Sequence, residues 1–168
     1  MTESRLAVDV DGSFDDAVAR YEAAVPAFPA EQFERLADWQ AVTELTDRIA
    51  AHGFLIYWRF LADPLMGIAG NTARCRMYLM GNHVLAERMY RHDPVAMLYA
   101  PLRTVITQVA AEPVRFSIDQ PSRQFASFGD PAIAAVGREL DRKLAHLLEV
   151  LGWPVPPELG GPASPGEA

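Results

Sequence analysis

Seven consecutive residues limit the fold of this chain more than any others. Residues 54–60, Phe-Leu-Ile-Tyr-Trp-Arg-Phe, are aromatic and β-branched and are bounded by Gly53 and Asp63-Pro64. Such a run is strand-sized and too short for a membrane helix. A second strand follows at residues 74–80. There Cys75, Met77 and Leu79 alternate with Arg76, Tyr78 and Met80, so the two sets face opposite sides of a sheet. Residues 64–73 between them, with Gly67, Gly70 and Asn71, read as a loop.

The rest of the chain supplies helices and further strands. Residues 5–11 alternate, and Gly12 ends them; Ser13 then caps a helix whose first turn holds Asp15 and Asp16. A helix is predicted over residues 30–51, with Leu36, Trp39, Val42, Leu45 and Ile49 as its apolar stripe. Residues 84–90 and 94–98 read as short helices. Strands are predicted over 101–109, 113–118 and 124–128, the last two joined by a turn at 119–122. Asp130-Pro131 opens a final helix to about Leu151, with Ile133, Val136, Leu140, Leu144 and Leu147 facing inward. Past about Leu159 the Pro- and Gly-rich tail is expected to be disordered. The expectation is one α+β domain over residues 1–159 and a tail over 160–168. Its form is a two-layer sandwich: a mainly antiparallel sheet of five to six strands with helices packed on one face.

Charge and composition exclude several classes. The net charge is −7, with 15 basic against 22 acidic residues, which disfavours general nucleic-acid binding. No apolar run reaches membrane length, and the N-terminus lacks the basic and apolar regions of a signal peptide. The lone Cys75 has no internal disulfide partner, which points to a reducing compartment, with a cytoplasmic setting expected, or to no redox role. Lys143 is the sole lysine among the 15 basic residues.

Several short motifs, in order, resemble the DUF302 family. They are Met77-Tyr-Leu-Met-Gly-Asn82, then Asp93-Pro94, Ala100-Pro-Leu-Arg103 and Phe125-Ala-Ser-Phe-Gly-Asp-Pro131. Val10-Asp-Gly-Ser-Phe-Asp-Asp-Ala-Val18 and Ala51-His-Gly-Phe54 also fit, so the resemblance spans about residues 5–140. It implies a small α+β domain, dimeric, and no particular reaction. One departure is chemical: where the family commonly has an Asp-His pair after the strand that begins at Gly53-Phe54, this chain has Leu61-Ala62.

The chain lacks a nucleophile elbow, a His-Glu-x-x-His metal spacing and a phosphate loop, so no metal or cofactor is expected. Candidate catalytic residues are His83, Tyr78 and Tyr57. His83 follows the Gly81-Asn82 turn at a strand end, where side chains project into clefts; His92, beside Asp93, is a weaker alternative. Cys75, between Arg74 and Arg76, is either an activated thiol or an inert buried one. Trp58, Met77, Met80, Asn82, Phe116 and Phe128 are candidate substrate contacts. Arg103 is either an anion clamp or the partner of Asp130 or another carboxylate.

If Trp58 and Phe60 face the helices, then Tyr57, Tyr78, Met80 and Phe128 form an apolar patch on the far face. Either a second subunit or a small hydrophobic molecule covers it. One reading is an enzyme of specialised metabolism, a cyclase or isomerase acting without cofactor in an aromatic- and Met-lined pocket of ~300–1,000 Å³. Orientation of the substrate alone contributes up to ~7–11 kcal/mol there. The alternative is a non-catalytic ligand-binding or stress-related homodimeric domain.

Overall fold

The alternation at the N-terminus becomes β1 (Arg5–Val10), whose residues are in turn exposed and buried. The computed structural model describes residues 4–160; of the tail expected to be disordered over 160–168, all but Gly160 lies outside the described residues. After β1 come α1 (Phe14–Ala24), the single turn α2 (Ala30–Phe33) and α3 (Trp39–Ile49). Next are β2 (Leu55–Leu61), α4 (Ala62–Gly67), β3 (Arg74–Gly81) and α5 (His83–Tyr90). A 3-10 turn (Pro94–Leu98) leads to β4 (Leu102–Gln108), β5 (Val114–Asp119), α6 (Pro121–Ala126) and α7 (Pro131–Leu151).

The five strands form one sheet in the order β1-β5-β4-β3-β2, every neighbour antiparallel. The fold is therefore α+β, with five strands. The stretch 124–128 belongs to α6 and the turn after it: Pro121 at the helix start cannot donate to a sheet ladder, and it presets helical φ. Helix α4 covers residues 62–67, so the first part of the loop expected over 64–73 is helical. The long second helix is broken at residues 34–38. Asp38 caps α3 afresh by accepting from the Ala41 amide at 2.8 Å, and Trp39 lies exposed rather than on a core stripe.

The inner face of the sheet carries Leu6, Val8, Val114, Phe116, Ile118, Leu102, Ile106, Tyr78 and Met80, all buried beneath α1 and α7. Tyr21 of α1 is the pivot. Its ring lies 4.7 Å from Tyr78 and 5.9 Å from Phe116, and its hydroxyl pairs with Thr104 Oγ1 at 2.8 Å. Without that partner the buried phenol and hydroxyl would each forfeit a hydrogen bond they had in water.

A bulge in β2 decides what the other face carries. Ile56 pairs with Met80 and Trp58 with Leu79, so Tyr57 is an extra residue in the ladder. Strict alternation from the buried Ile56 would put Trp58 and Phe60 inside. The bulge turns them outward, opposite Leu79 and Met77. The expected far-face patch is thus corrected: Tyr78 and Met80 are fully buried under the helices, and Phe128 packs beside Tyr99 and Phe125 off the sheet. The outer face instead carries Trp58, Phe60, Met77, Leu79 and Val105.

Helices α6 and α7 touch at Gly137. A Cβ there would stand 3.0 Å from the Ser122 Cα and 3.1 Å from the Phe125 Cβ. Alanine gains about 1 kcal/mol of helix propensity, whereas forcing two packed backbones apart costs about 1–3 kcal/mol. Gly137→Ala is expected to lower the urea midpoint at unchanged slope; a midpoint equal to or above that of the parent would show that α6 yields freely.

Candidate functional site

The sequence places His83 at the first position of α5, directly after the Asn82 cap. Asn82 Oδ1 accepts from the amides of Val84 (3.0 Å) and Leu85 (3.2 Å), and its Nδ2 donates to the Gly53 carbonyl at 2.9 Å. The cap thus ties the start of α5 to the start of β2 and fixes where the imidazole can reach.

Both nitrogens of that imidazole are hydrogen-bonded. Nε2 lies 2.6 Å from Thr46 Oγ1 on α3, and Nδ1 lies 2.7 Å from the Tyr57 hydroxyl. The proton positions follow from the partners. Thr46 donates its single proton to the Val42 carbonyl at 2.7 Å, so Oγ1 accepts from Nε2–H. Nδ1 is then an acceptor and the Tyr57 phenol donates to it. The phenol oxygen in turn accepts from the His83 amide at 3.0 Å. His83 is a neutral Nε2–H imidazole with every polar group paired.

Two aromatic rings enclose it. Phe33 meets the imidazole edge-on at 4.8 Å and Phe28 at 5.6 Å, while Phe28 lies 5.0 Å from Tyr57. Phe28 is held there by backbone: its amide donates to the Ile56 carbonyl and the Ile56 amide to the Pro26 carbonyl, both at 2.8 Å. Burial lowers the imidazole below its ordinary 6.5, because its cationic form loses water. Burial also pushes the Tyr57 phenol up to about 12, with the His83 amide bond opposing. The pair therefore rests as a neutral base beside an un-ionised acid.

An apolar cavity of about 120 Å³ opens beside the pair. Tyr57, Asn82 and His83 line one side of it and Ala86, Met89, Met97 and Leu140 the other, and its surface is almost wholly apolar. Gly81 leaves room for it: a Cβ there would touch Pro101 at 3.5 Å and the Tyr57 ring at 3.6 Å. The volume falls below the expected ~300–1,000 Å³. It is nearer the ~150 Å³ that accepts a single benzene ring.

The remaining candidates lie elsewhere. Tyr78 is in the core, donating to Glu22 at 3.0 Å, with Arg59 on the same carboxylate at 2.9 Å. Met80 and Phe116 are core residues, and Trp58 and Met77 belong to the outer face. Arg103 is exposed and forms no ion pair among the described residues; Asp130, its proposed partner, caps α7 instead. Asp93 caps the 3-10 turn through the Val95 amide, so His92 has Asp130, at 3.7 Å, as its nearest carboxylate. Cys75 is half-buried on the outer face, and burial pushes its thiol up. Arg74 and Arg76 are committed to Asp63 and lie over the Phe14 ring. Among the described residues no group of three His, Cys, Asp or Glu could hold a metal ion, and no helix is long and apolar enough to cross a membrane.

Sequence reasoning missed Thr46, Phe28 and Phe33. Thr46 lies one helical turn from Val42, beside the apolar stripe, but a hydroxyl drops out of a count of apolar residues; the two phenylalanines lie on either side of Pro29, in a segment without a periodic signal. The Leu61-Ala62 departure lies at the opposite end of β2 from Leu55, about 20 Å of strand away. His83 is therefore not a spatial replacement for a histidine at that position.

A family model described as Domain of unknown function DUF302 matches residues 39–151. The fold is also that of an uncharacterized conserved DUF302 protein from Bacillus stearothermophilus, known as a crystal structure. The two superpose with a TM-score of 0.65 at 16% identity, over 88% of this chain and 98% of that one. No curated protein matches the sequence.

The lowered His83 titration has a consequence for stability. Above 6.5 the imidazole is neutral folded or unfolded. As pH falls through 6.5 the unfolded chain takes up the proton first, so stability declines until the folded imidazole titrates, then levels off. Urea denaturation from about pH 8 to about pH 5 should show this decline in the parent and lose it in His83→Gln. An NMR midpoint for His83 at or above 6.5 would contradict the burial argument.

Proposed function

Because the chain belongs to the DUF302 family, whose name assigns no reaction, we propose its function from the site: a cofactor-independent enzyme of cyclase or isomerase type. It acts on a small hydrophobic molecule seated beside His83 and Tyr57. The observation that carries this is the neutral imidazole bonded at both nitrogens, with its phenol partner on the wall of an apolar cavity. Structural histidines need no cavity, and structural cavities need no paired acid and base.

The proposed chemistry moves one proton. A substrate proton passes to the Tyr57 oxygen while the phenol's own proton passes to Nδ1. The product is an imidazolium donating to Thr46 at one nitrogen and to Tyr57 at the other. Return of the proton at another carbon of the substrate, by the reverse path, completes an isomerisation and restores the resting pair. Electrons stay within the substrate, so no oxidant or reductant is needed. Asn82 holds His83 in place through the helix cap, and Met89 and Met97 adapt to the shape of the ligand. Tyr78, committed to Glu22 in the core, has no part in this scheme.

A second reading, a non-catalytic binding domain that pairs with its own copy, draws on the outer sheet face. Trp58 there is 48% exposed beside Phe60, Met77 and Leu79. Pairing across that face would bury an apolar surface the helices leave open.

Two measurements separate these readings. Binding of benzene-sized probes, followed by NMR, should be abolished by Ala86→Leu, which fills the cavity, with the melting temperature little changed. Exchange of deuterium into the α-carbon of cyclohexanone should exceed the solvent rate by about 10²-fold or more. Tyr57→Phe and His83→Gln should each remove that excess. Probe binding without exchange would leave the non-catalytic reading in place, and no binding at all would remove the cavity from consideration.

A further inference from the structure

We infer that the groove next to this cavity is an oxyanion site, so that the ligand carries a carboxylate or phosphate on a compact apolar body. The inference rests on the cavity being the ligand site. It adds the ligand's charge, which nothing in the His83–Tyr57 pair specifies.

The groove encloses about 530 Å³ between α3, the turn before β2, and α7. It shares Asn82 with the cavity, and Thr46 on its wall holds the cavity's imidazole. His83 on the cavity side and Thr46 on the groove side thus stand back to back, and Asn82 borders both the apolar and the polar space. On the polar side stand Arg142, Lys143, His52 and His146.

The charges facing the groove are unequal. Glu139 is spent on Arg88 at 2.8 Å, and the carboxylate of Glu149 is 4.0 Å from His146 Nδ1, both side chains well exposed. Asp47 is the remaining acidic residue on the wall. Against it, neither Arg142 nor Lys143 makes an ion pair among the described residues, although the whole chain carries −7. An acidic protein that leaves two cations unpaired in one groove, with two imidazoles beside them, offers that groove to an anion.

The position of Lys143 is built in. Gly53 has φ +87°, a conformation that favours glycine, and a Cβ there would stand 3.3 Å from the lysine Cδ and 3.4 Å from its Nζ. The outer half of the lysine side chain lies against the bare face of this glycine. The same glycine's carbonyl receives Asn82 Nδ2. One backbone turn therefore sets both the cation of the groove and the cap of the helix that carries His83. A ligand with its apolar ring in the cavity and its oxyanion near Lys143 would pass Asn82, which borders both spaces.

The test compares three probes of one shape by calorimetry: phenylacetate, benzyl phosphate and the neutral phenylacetamide. The parent protein should bind at least one of the anions about tenfold or more tightly than the amide, with the preference falling as salt rises. The tighter of the two anions names the oxyanion. In an Arg142→Ala/Lys143→Met double variant, both positions being at the surface, the preference should vanish while amide binding persists. Equal affinity of the parent for anions and amide would overturn the oxyanion site and leave the cavity proposal standing. A preference that survives the double variant would overturn it too. Failure of all three probes to bind would remove both proposals together.

Discussion

Tyr57, one residue too many for the ladder, decides both faces of this protein. An antiparallel sheet with helices on one side admits a single register, because slipping by one residue turns every side chain over. In β2 that slip happens once, at Tyr57, between the pairs Ile56–Met80 and Trp58–Leu79. Before the bulge the strand feeds the core through Ile56; after it, the strand's large aromatic residues face out. The displaced residue leaves the ladder and reaches the end of the neighbouring strand, where its hydroxyl meets His83.

The site is therefore assembled from elements with no sequence relation to one another. The bulge supplies the phenol, the Asn82 cap the imidazole, α3 the threonine and the Pro26–Phe28 segment a covering ring. Each polar atom among them has one proton arrangement open to it, since Thr46 has a single proton and gives it to Val42. That arrangement leaves Nδ1 basic and the phenol un-ionised. Water exclusion by Phe28 and Phe33 then strengthens both features, because burial opposes charge on either partner.

Much of the fold was legible in the sequence. Alternation at residues 5–11 and 74–80, the Ser13 and Asp130 caps, and the apolar stripe of the last helix each match an element. The misreadings share a cause: they occur where local pattern competes with a feature it does not encode. Residues 124–128 alternate like a strand, yet Pro121 commits the segment to a helix whose start is capped from a distance, Asp141 on α7 accepting from the Ser122 amide at 2.9 Å. Residues 30–51 carry helical spacing throughout, yet Asp38 restarts the helix. In the site, His83, Tyr57 and Asn82 were legible as polar groups at a strand end. Tyr78 was not separable from them, because one residue of parity distinguishes core from surface.

By itself the sequence determined the class and the main elements: an α+β fold, its strands and helices set by period, caps and proline. It also determined that His83 would stand at a turn. It could not determine which face of each strand is buried, since a bulge leaves no mark on composition and inverts the alternation beyond it. Nor could it show that α3 packs on the histidine, a contact that joins Thr46 to His83 across 37 residues. Tertiary structure settled both, because burying one face of the sheet fixes the parity of every strand at once, and the space left at the end of β3 is what remains when that packing is complete.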